Sequence, residues 1–228
     1  MLKAIVFDFD GVIADSEPLH YRAFLDVLEP IGIGFDYAEY LARLVGFDDR
    51  DAMRHMLERH GQPADDGAVD AMCARKQAAF DAQLEAGVEA LPGALDLVDA
   101  AAAAMPIAVA SGATRKDVLQ ILDSLRRRDR FAAIVSADDV ARSKPDPESY
   151  RAAVAALARL HTDLAIEPAH CLAIEDTPTG LASARDAGLR TLAVGSTYPV
   201  SELASSAERV VGSLVEVDVA RLRDWFGH

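Results

Sequence analysis

The sequence predicts an α/β fold, a doubly wound parallel sheet with a helical domain inserted into it, on three observations. Five short apolar segments are bounded by turn or polar residues, helical stretches of crossover length separate the later ones, and roughly ninety residues lie between the first segment and the second. With 228 residues, 51% of them hydrophobic, the chain has ample material for a packed core.

The first strand is expected over Ala4 to Phe7. A single crossover helix would be enough to reach the next strand, so the much longer interval reads as an insertion. From Glu17 to about Gly87 it shows helical spacing of apolar residues (Leu25, Leu28; Leu41, Leu44, Val45; Met53, Met56, Leu57; Met72, Lys76, Phe80), broken at Pro30, Gly32, Gly61 and Pro63. We expect a helical cap over 16–89, entered near Ala14 to Ser16 and left near Ala86 to Pro92, with the core domain formed by 1–15 and 90–228. The Ala-rich run Ala100 to Ala104 reads as a helix surface. Strands follow at Ile107 to Ala110, Ala132 to Val135, Cys171 to Ile174 and Thr191 to Val194, and their continuous apolarity fits strands covered on both faces. Helices are expected at Thr114 to Leu125, Asp146 to Leu160 and Thr179 to Ala187, the last stopped by Gly188. Trp225 and Phe226 in the tail are expected to seal an edge of the sheet rather than meet a neighbouring molecule.

Acidic residues outnumber basic ones 37 to 23, a formal charge of −14 that repels nucleic acid and anionic membranes. Arg126, Arg127, Arg128 and Arg130 do not reverse this, since Asp123 and Asp129 flank them in what reads as a solvated helix end. No stretch reaches transmembrane length, and Met1 leads straight into the first strand without a charged leader or cleavage site. Cys73 and Cys171 stand too far apart in sequence to suggest a disulfide framework. These features point to a cytoplasmic protein, monomeric or homodimeric, whose partner is a small molecule.

Reactive groups in such sheets gather beyond the carboxyl ends of the strands. The first strand runs into Asp8, Phe9, Asp10 and Gly11; the second into Ser111, Gly112 and Ala113; Lys144 follows the third; the fourth ends in Glu175 and Asp176. Two acidic pairs on one edge would repel each other unless a cation sat among them, and all-oxygen ligation favours magnesium over zinc. A dianionic phosphate about 4 Å from a carboxylate would meet a repulsion on the order of 8 kcal/mol at an effective dielectric near 20. Magnesium and Lys144 would cancel it. Lysine occurs only at positions 3, 76, 116 and 144, which makes one lodged in Ser143-Lys144-Pro145-Asp146-Pro147 notable. Asp8 can bind metal and attack phosphorus, whereas Asp10, one residue on and turned differently, can act as general acid and base. Ser111 and the amides around Gly112 and Ala113, ahead of a helix capped by Thr114 and Asp117, suit phosphate oxygens.

The motifs VFDFDGVIAD, VASGAT, SKPDP and AIEDTPTG stand in order along the whole chain. Through them it resembles the haloacid-dehalogenase superfamily, in particular the helical-cap branch that includes β-phosphoglucomutase and many sugar-phosphate and phosphoglycolate phosphatases. The resemblance implies Asp8 as nucleophile, Asp10 as acid and base, Ser111 and Lys144 as phosphate binders, and Asp8, the Asp10 carbonyl, Glu175 and Asp176 around magnesium. Asp10 speaks against a haloacid dehalogenase, and the absence of lysine from Leu44 to Met53 against a phosphonate hydrolase. His20 and Lys76 stand where β-phosphoglucomutase-like enzymes use similar residues, but Val45 precedes Gly46 where the mutase has a basic residue. A phosphatase of a small phosphorylated metabolite is the expectation, with a phosphomutase as the alternative and a non-catalytic relative as the third reading. Glu17, His20, Gly46, Arg50 and Lys76 are the candidate substrate contacts of the cap; Arg50 either holds the far end of a substrate with Arg54 or pairs with Asp48 or Asp51.

Overall fold

The computed structural model describes residues 1–45, 47–85 and 87–227. Gly46 and Ala86, both singled out by the sequence, lie outside the described residues. In chain order the elements are β1 (Ala4–Phe7), α1 (Glu17–Leu28), α2 (Tyr37–Arg43), α3 (Asp49–Arg59), α4 (Asp66–Leu84), α5 (Ala94–Ala104), β2 (Ile107–Ala110), α6 (Arg115–Ser124), β3 (Ala133–Val135), α7 (Glu148–Leu160), β4 (Cys171–Glu175), α8 (Pro178–Asp186), β5 (Arg190–Val194), α9 (Val200–Leu203), β6 (Arg209–Val211) and α10 (Val219–Phe226). Two compact units result: Met1–Asp15 with Val88–His228, and Ser16–Gly87.

The first unit is an α/β fold around a six-stranded sheet in the order β3-β2-β1-β4-β5-β6, every pairing parallel. Strand order reverses beside β1, so the loops after β1 and β4 open at the switch point where doubly wound sheets place their ligands. Every residue of β1, β2 and β4 is buried, which is why these strands read as apolar runs rather than alternating ones. α7 lays Tyr150, Ala153, Val154 and Leu157, spaced i, i+3, i+4, i+7, onto a sheet face of Ala4, Val6, Ala108, Ala110 and Ala173. The small alanines let the helix approach closely.

The strand at Arg209–Val211 had no sequence expectation: it is three residues long, begins exposed and shows no apolar run. It adds to the edge of the sheet through β5, where Arg190 pairs with Glu208 at 2.6 Å and lies over the Phe226 ring at 5.2 Å. Phe226 is buried. Cys73 and Cys171 are free, and no helix among the described residues is long and apolar enough to cross a membrane.

The second unit is helical with its own core, in which Phe24, Leu28, Tyr40, Met53, Met56, Leu57 and Val69 are buried together. Asp36, Asp48 and Asp65 cap α2, α3 and α4 by accepting the amides of Glu39, Asp51 and Ala68. Part of the acidic surplus therefore serves helix starts, where negative charge is favoured.

Gly93 shows how the first unit is closed. Its φ is +81°, and a Cβ there would lie 2.4 Å from the Val215 amide nitrogen and 2.6 Å from the Leu214 carbonyl carbon. Gly188 has a similar φ of +88°, but a Cβ there would meet only the Pro168 side chain, at 3.2 Å. Gly188→Ala should cost about 1–2 kcal/mol from the left-handed conformation. Gly93→Ala should cost distinctly more, because rigid backbone stands in the way; urea denaturation of the two variants checks the order.

Candidate active site

The site grows from the end of β1. Asp8 donates its amide to the Ile174 carbonyl at 2.9 Å, which carries the parallel pairing one residue past the strand. The chain then turns so that Ile13 and Ala14 donate back to the Phe9 carbonyl, with Phe9, Val12, Ile13 and Ala14 buried beneath the turn. Gly11 sits in the middle at φ +75°. A Cβ on it would lie 1.9 Å from Asp176 Oδ2 and 2.8 Å from Thr197 Oγ1, so only glycine lets the β1 loop approach the β4 loop this closely. Ser196, after β5, donates its hydroxyl to the Gly11 carbonyl and fastens the same turn.

Around this turn the structure brings together Asp8, Lys144, Glu175 and Asp176. Lys144 Nζ donates to Asp8 Oδ1 at 2.6 Å and to Glu175 Oε1 at 2.7 Å. The segment that carries it is braced from both sides: Ser183 donates to the Asp146 carbonyl at 2.6 Å, and Glu148 accepts the amides of Ala141 and Arg142 at 3.0 and 3.1 Å. Glu175 is fully buried, and both of its oxygens are engaged. Oε1 also accepts the Tyr150 hydroxyl at 3.0 Å, while Oε2 accepts the amides of Asp176 and Thr177 and the Thr177 hydroxyl at 3.0, 3.1 and 3.0 Å. A Cβ on Gly180 would fall 1.7 Å from Glu175 Oε1, so the start of α8 can pass this carboxylate only as glycine.

Asp8, Glu175 and Asp176 offer carboxylate oxygens within 4.8 Å of one another, all three residues buried. One ammonium cannot neutralise three such charges: at an effective dielectric near 20, each pair at about 5 Å repels by about 3 kcal/mol. The protonation equilibria record this stress. Burial, then the charge of Glu175, pushes Asp8 up to about 7 against the pull of Lys144. Burial and the charges of Glu175 and Asp8 hold Asp176 well above the carboxylate range, against a hydrogen bond from Thr197. Burial alone would lower Lys144, yet the carboxylates of Asp8 and Glu175 outweigh it and raise its pKa. Asp176 Oδ1 is buried with no hydrogen-bond partner. An orphaned carboxylate oxygen amid excess negative charge fits a hard divalent cation such as magnesium.

Ser111, at the end of β2, is buried; its hydroxyl accepts the Ala113 amide at 2.9 Å and reaches Asp10 Oδ2 only at 3.5 Å. The Ala113 amide, expected to serve a phosphate, is thus engaged by Ser111 here, while Gly112 is exposed with open space about it. Thr114 caps α6 by accepting the Asp117 amide, and its hydroxyl also donates to Asp117 Oδ2 at 2.7 Å. Sequence reasoning assigned no role to Tyr150, Thr177, Gly180, Ser196 or Thr197. Thr177 and Gly180 lie inside the quoted AIEDTPTG motif, but the other three come close to the site only through folding.

The second unit holds a separate cluster. Lys76, fully buried on α4, donates to both oxygens of Asp49 at 2.8 Å and stands 2.7 Å from His20 Nδ1. The His20 ring stacks on Phe80 at 4.2 Å, and burial followed by the Lys76 charge holds its pKa well below the usual histidine value. Glu17 Oε2 accepts the Tyr40 hydroxyl at 2.5 Å. Arg50 pairs with Asp66 and Asp70 on α4, and Arg54 with Asp66, which corrects the expected Arg50 partners. Asp48 is committed to capping α3, and a neighbouring residue such as Asp51 does not face Arg50 on a helix.

Comparison with known proteins identifies the family. Residues 5–194 match the family described as haloacid dehalogenase-like hydrolase. The chain is 33% identical to protein CbbY of Rhodobacter capsulatus over 91% of both chains, and 29% identical to the fructose-1-phosphate phosphatase YqaB of Escherichia coli over 81% of this chain and 92% of that one. The crystal structure of CbbY from Rhodobacter sphaeroides in complex with phosphate superposes with a TM-score of 0.84 at 28% identity, covering 100% of each chain; a mutant of that protein has been crystallised with xylulose-(1,5)bisphosphate. The protein belongs to the haloacid dehalogenase-like hydrolase family.

Proposed function

We propose that this chain is a magnesium-dependent phosphatase that hydrolyses a small phosphorylated metabolite, a sugar phosphate or similar, through a phospho-aspartate on Asp8. The observation that carries the reading is the convergence of Asp8, Lys144, Glu175 and Asp176, with Asp176 Oδ1 left without a partner. The substrate class draws on the relatives, one named a fructose-1-phosphate phosphatase and one crystallised with xylulose-(1,5)bisphosphate.

Asp8, Asp176 and the Asp10 carbonyl would hold the ion, with Glu175 adding its charge to the cluster. When bound, magnesium offsets the carboxylate charge and polarises the phosphoryl oxygens. Lys144, Ser111 and the Gly112 amide receive the phosphoryl group, and the Ala113 amide joins them once Ser111 turns from it to the phosphate. An Asp8 oxygen attacks phosphorus, the bond to the ester oxygen breaks, and Asp10 gives that oxygen its proton. Asp10 then takes a proton from water as the water attacks phosphorus, the acyl phosphate opens, and inorganic phosphate leaves with Asp8 restored. The helical unit selects the organic part of the substrate, with Glu17, His20, Gly46 and Arg50 as the candidate contacts and Lys76, fully buried, held against His20 and Asp49.

Asp8→Asn keeps the shape and removes the nucleophile. Phosphate release should fall by more than about 10³-fold, since rate enhancements for phosphate monoesters reach about 10²¹ and leave a partial site nearly silent. Chelation should act likewise and be reversed by magnesium. Incubation with a hexose 1-phosphate, followed by ³¹P NMR, separates the readings: inorganic phosphate supports hydrolysis, and an isomerised sugar phosphate without release supports a phosphomutase. Absence of magnesium binding would favour the non-catalytic reading.

The proton on Asp8 gives a second test. In the metal-free protein Asp8 holds its proton up to about pH 7, whereas the ordinary carboxyl value is 3.8. The native state therefore binds the proton more tightly than the unfolded chain, and the stability this provides declines as pH rises from 3.8 to about 7. Asp176 is shifted the same way. Melting temperature in chelator should fall across this window, and Asp8→Asn should flatten the slope. Magnesium added at pH 7 should restore the stability lost.

A further inference from the structure

We propose that Tyr150 is a positioning residue for the reaction, a buried hydroxyl and ring that keep the Lys144 ammonium aimed at Asp8. This rests on the reading of Lys144 as a phosphate binder. Tyr150 has no exposed surface and sits in the first turn of α7, six residues after Lys144. Its ring lies 5.0 Å beneath Lys144 Nζ, and its hydroxyl donates at 3.0 Å to Glu175 Oε1. That same oxygen accepts Lys144 at 2.7 Å.

The double use of one oxygen carries the inference. A lysine between two carboxylates is drawn to whichever is less satisfied. Glu175 is rigid: Oε2 is fixed by three donors from Asp176 and Thr177, so only Oε1 faces the ammonium. A neutral hydroxyl on Oε1 satisfies part of that oxygen's demand without adding charge, so Lys144 is held less tightly by Glu175 and remains available at 2.6 Å to Asp8. The ring beneath favours a cation at this spot. When a phosphoryl group occupies Asp8, the ammonium is then already in place. Packing alone accounts for an aromatic ring among Val154, Leu157 and Ala173, and a phenylalanine would do as well; the hydroxyl bonded to the lysine's own partner is what packing leaves unexplained.

Tyr150→Phe keeps the ring and removes the hydroxyl. With p-nitrophenyl phosphate and magnesium, kcat/KM should fall about tenfold, which corresponds to about 1.4 kcal/mol of lost transition-state stabilisation. The Kd for inorganic phosphate, read by calorimetry, should weaken to a similar degree while the melting temperature stays within a few degrees of wild type. Both quantities within twofold of wild type would overturn the proposal. Lys144→Met provides a background in which no ammonium remains to be aimed. There, Tyr150→Phe should leave the phosphate Kd where the single substitution put it, and a further loss would assign the hydroxyl to packing and overturn the proposal; this comparison also decides the matter if Tyr150→Phe alone lowers stability. Failure of the phosphatase reading looks different, because wild type itself would then release no phosphate from any ester tested.

Discussion

One constraint organises the first unit: three buried carboxylates share a pocket with a single ammonium. Buried charges persist only when paired, hydrogen-bonded or bound to metal, and here ion pairing and hydrogen bonding converge on a cluster whose oxygens could also hold a metal ion. Glu175 is satisfied by Lys144, Tyr150 and the start of α8, so it acts as a fixed point. Asp8 and Asp176 are satisfied only in part, and their raised pKa values and the orphaned Asp176 Oδ1 express the same deficit in charge and in geometry. A protein that merely needed a stable core would not keep such a pocket, since its cost is large and apolar residues could fill it.

The architecture meets this constraint by bringing four loops to one edge. Parallel strands all end on the same side, and the reversal of strand order beside β1 leaves the ends of β1 and β4 open next to each other. The approach is closer than side chains normally allow. Gly11 and Gly180 are therefore part of the site without offering a functional group, because a methyl at either would displace Asp176 or Glu175. Alanines on the sheet face bring α7 near enough for Tyr150 to reach Glu175, which links core packing directly to the orientation of a charged group.

The helical unit solves a related problem by itself. Lys76 is fully buried and is matched by Asp49, His20 and the faces of Phe24 and Phe80. It falls at helical spacing between Met72 and Phe80, and the structure shows it fully buried. Arg50 and Arg54 are instead tied to the acids of α4, in pairs that leave Arg50 and Asp66 exposed and Arg54 half-buried, and such solvent-facing pairs contribute little to stability.

The sequence by itself determined the α/β class, the insertion after the first strand and the edge on which Asp8, Asp10, Ser111, Lys144, Glu175 and Asp176 gather, because apolar runs, turn residues and strand-end acids are local signals. It also carried family membership, through four motifs in order. Tertiary structure alone decided the rest. A three-residue edge strand has no periodicity to read, and the Arg50 partners lie on a different helix. Tyr150 looks like one more core aromatic until α7 packs on the sheet, and the orphaned oxygen of Asp176 exists only once burial has removed water from it. Side-chain identity is written along the chain, whereas the satisfaction of a buried charge depends on which distant segments arrive beside it.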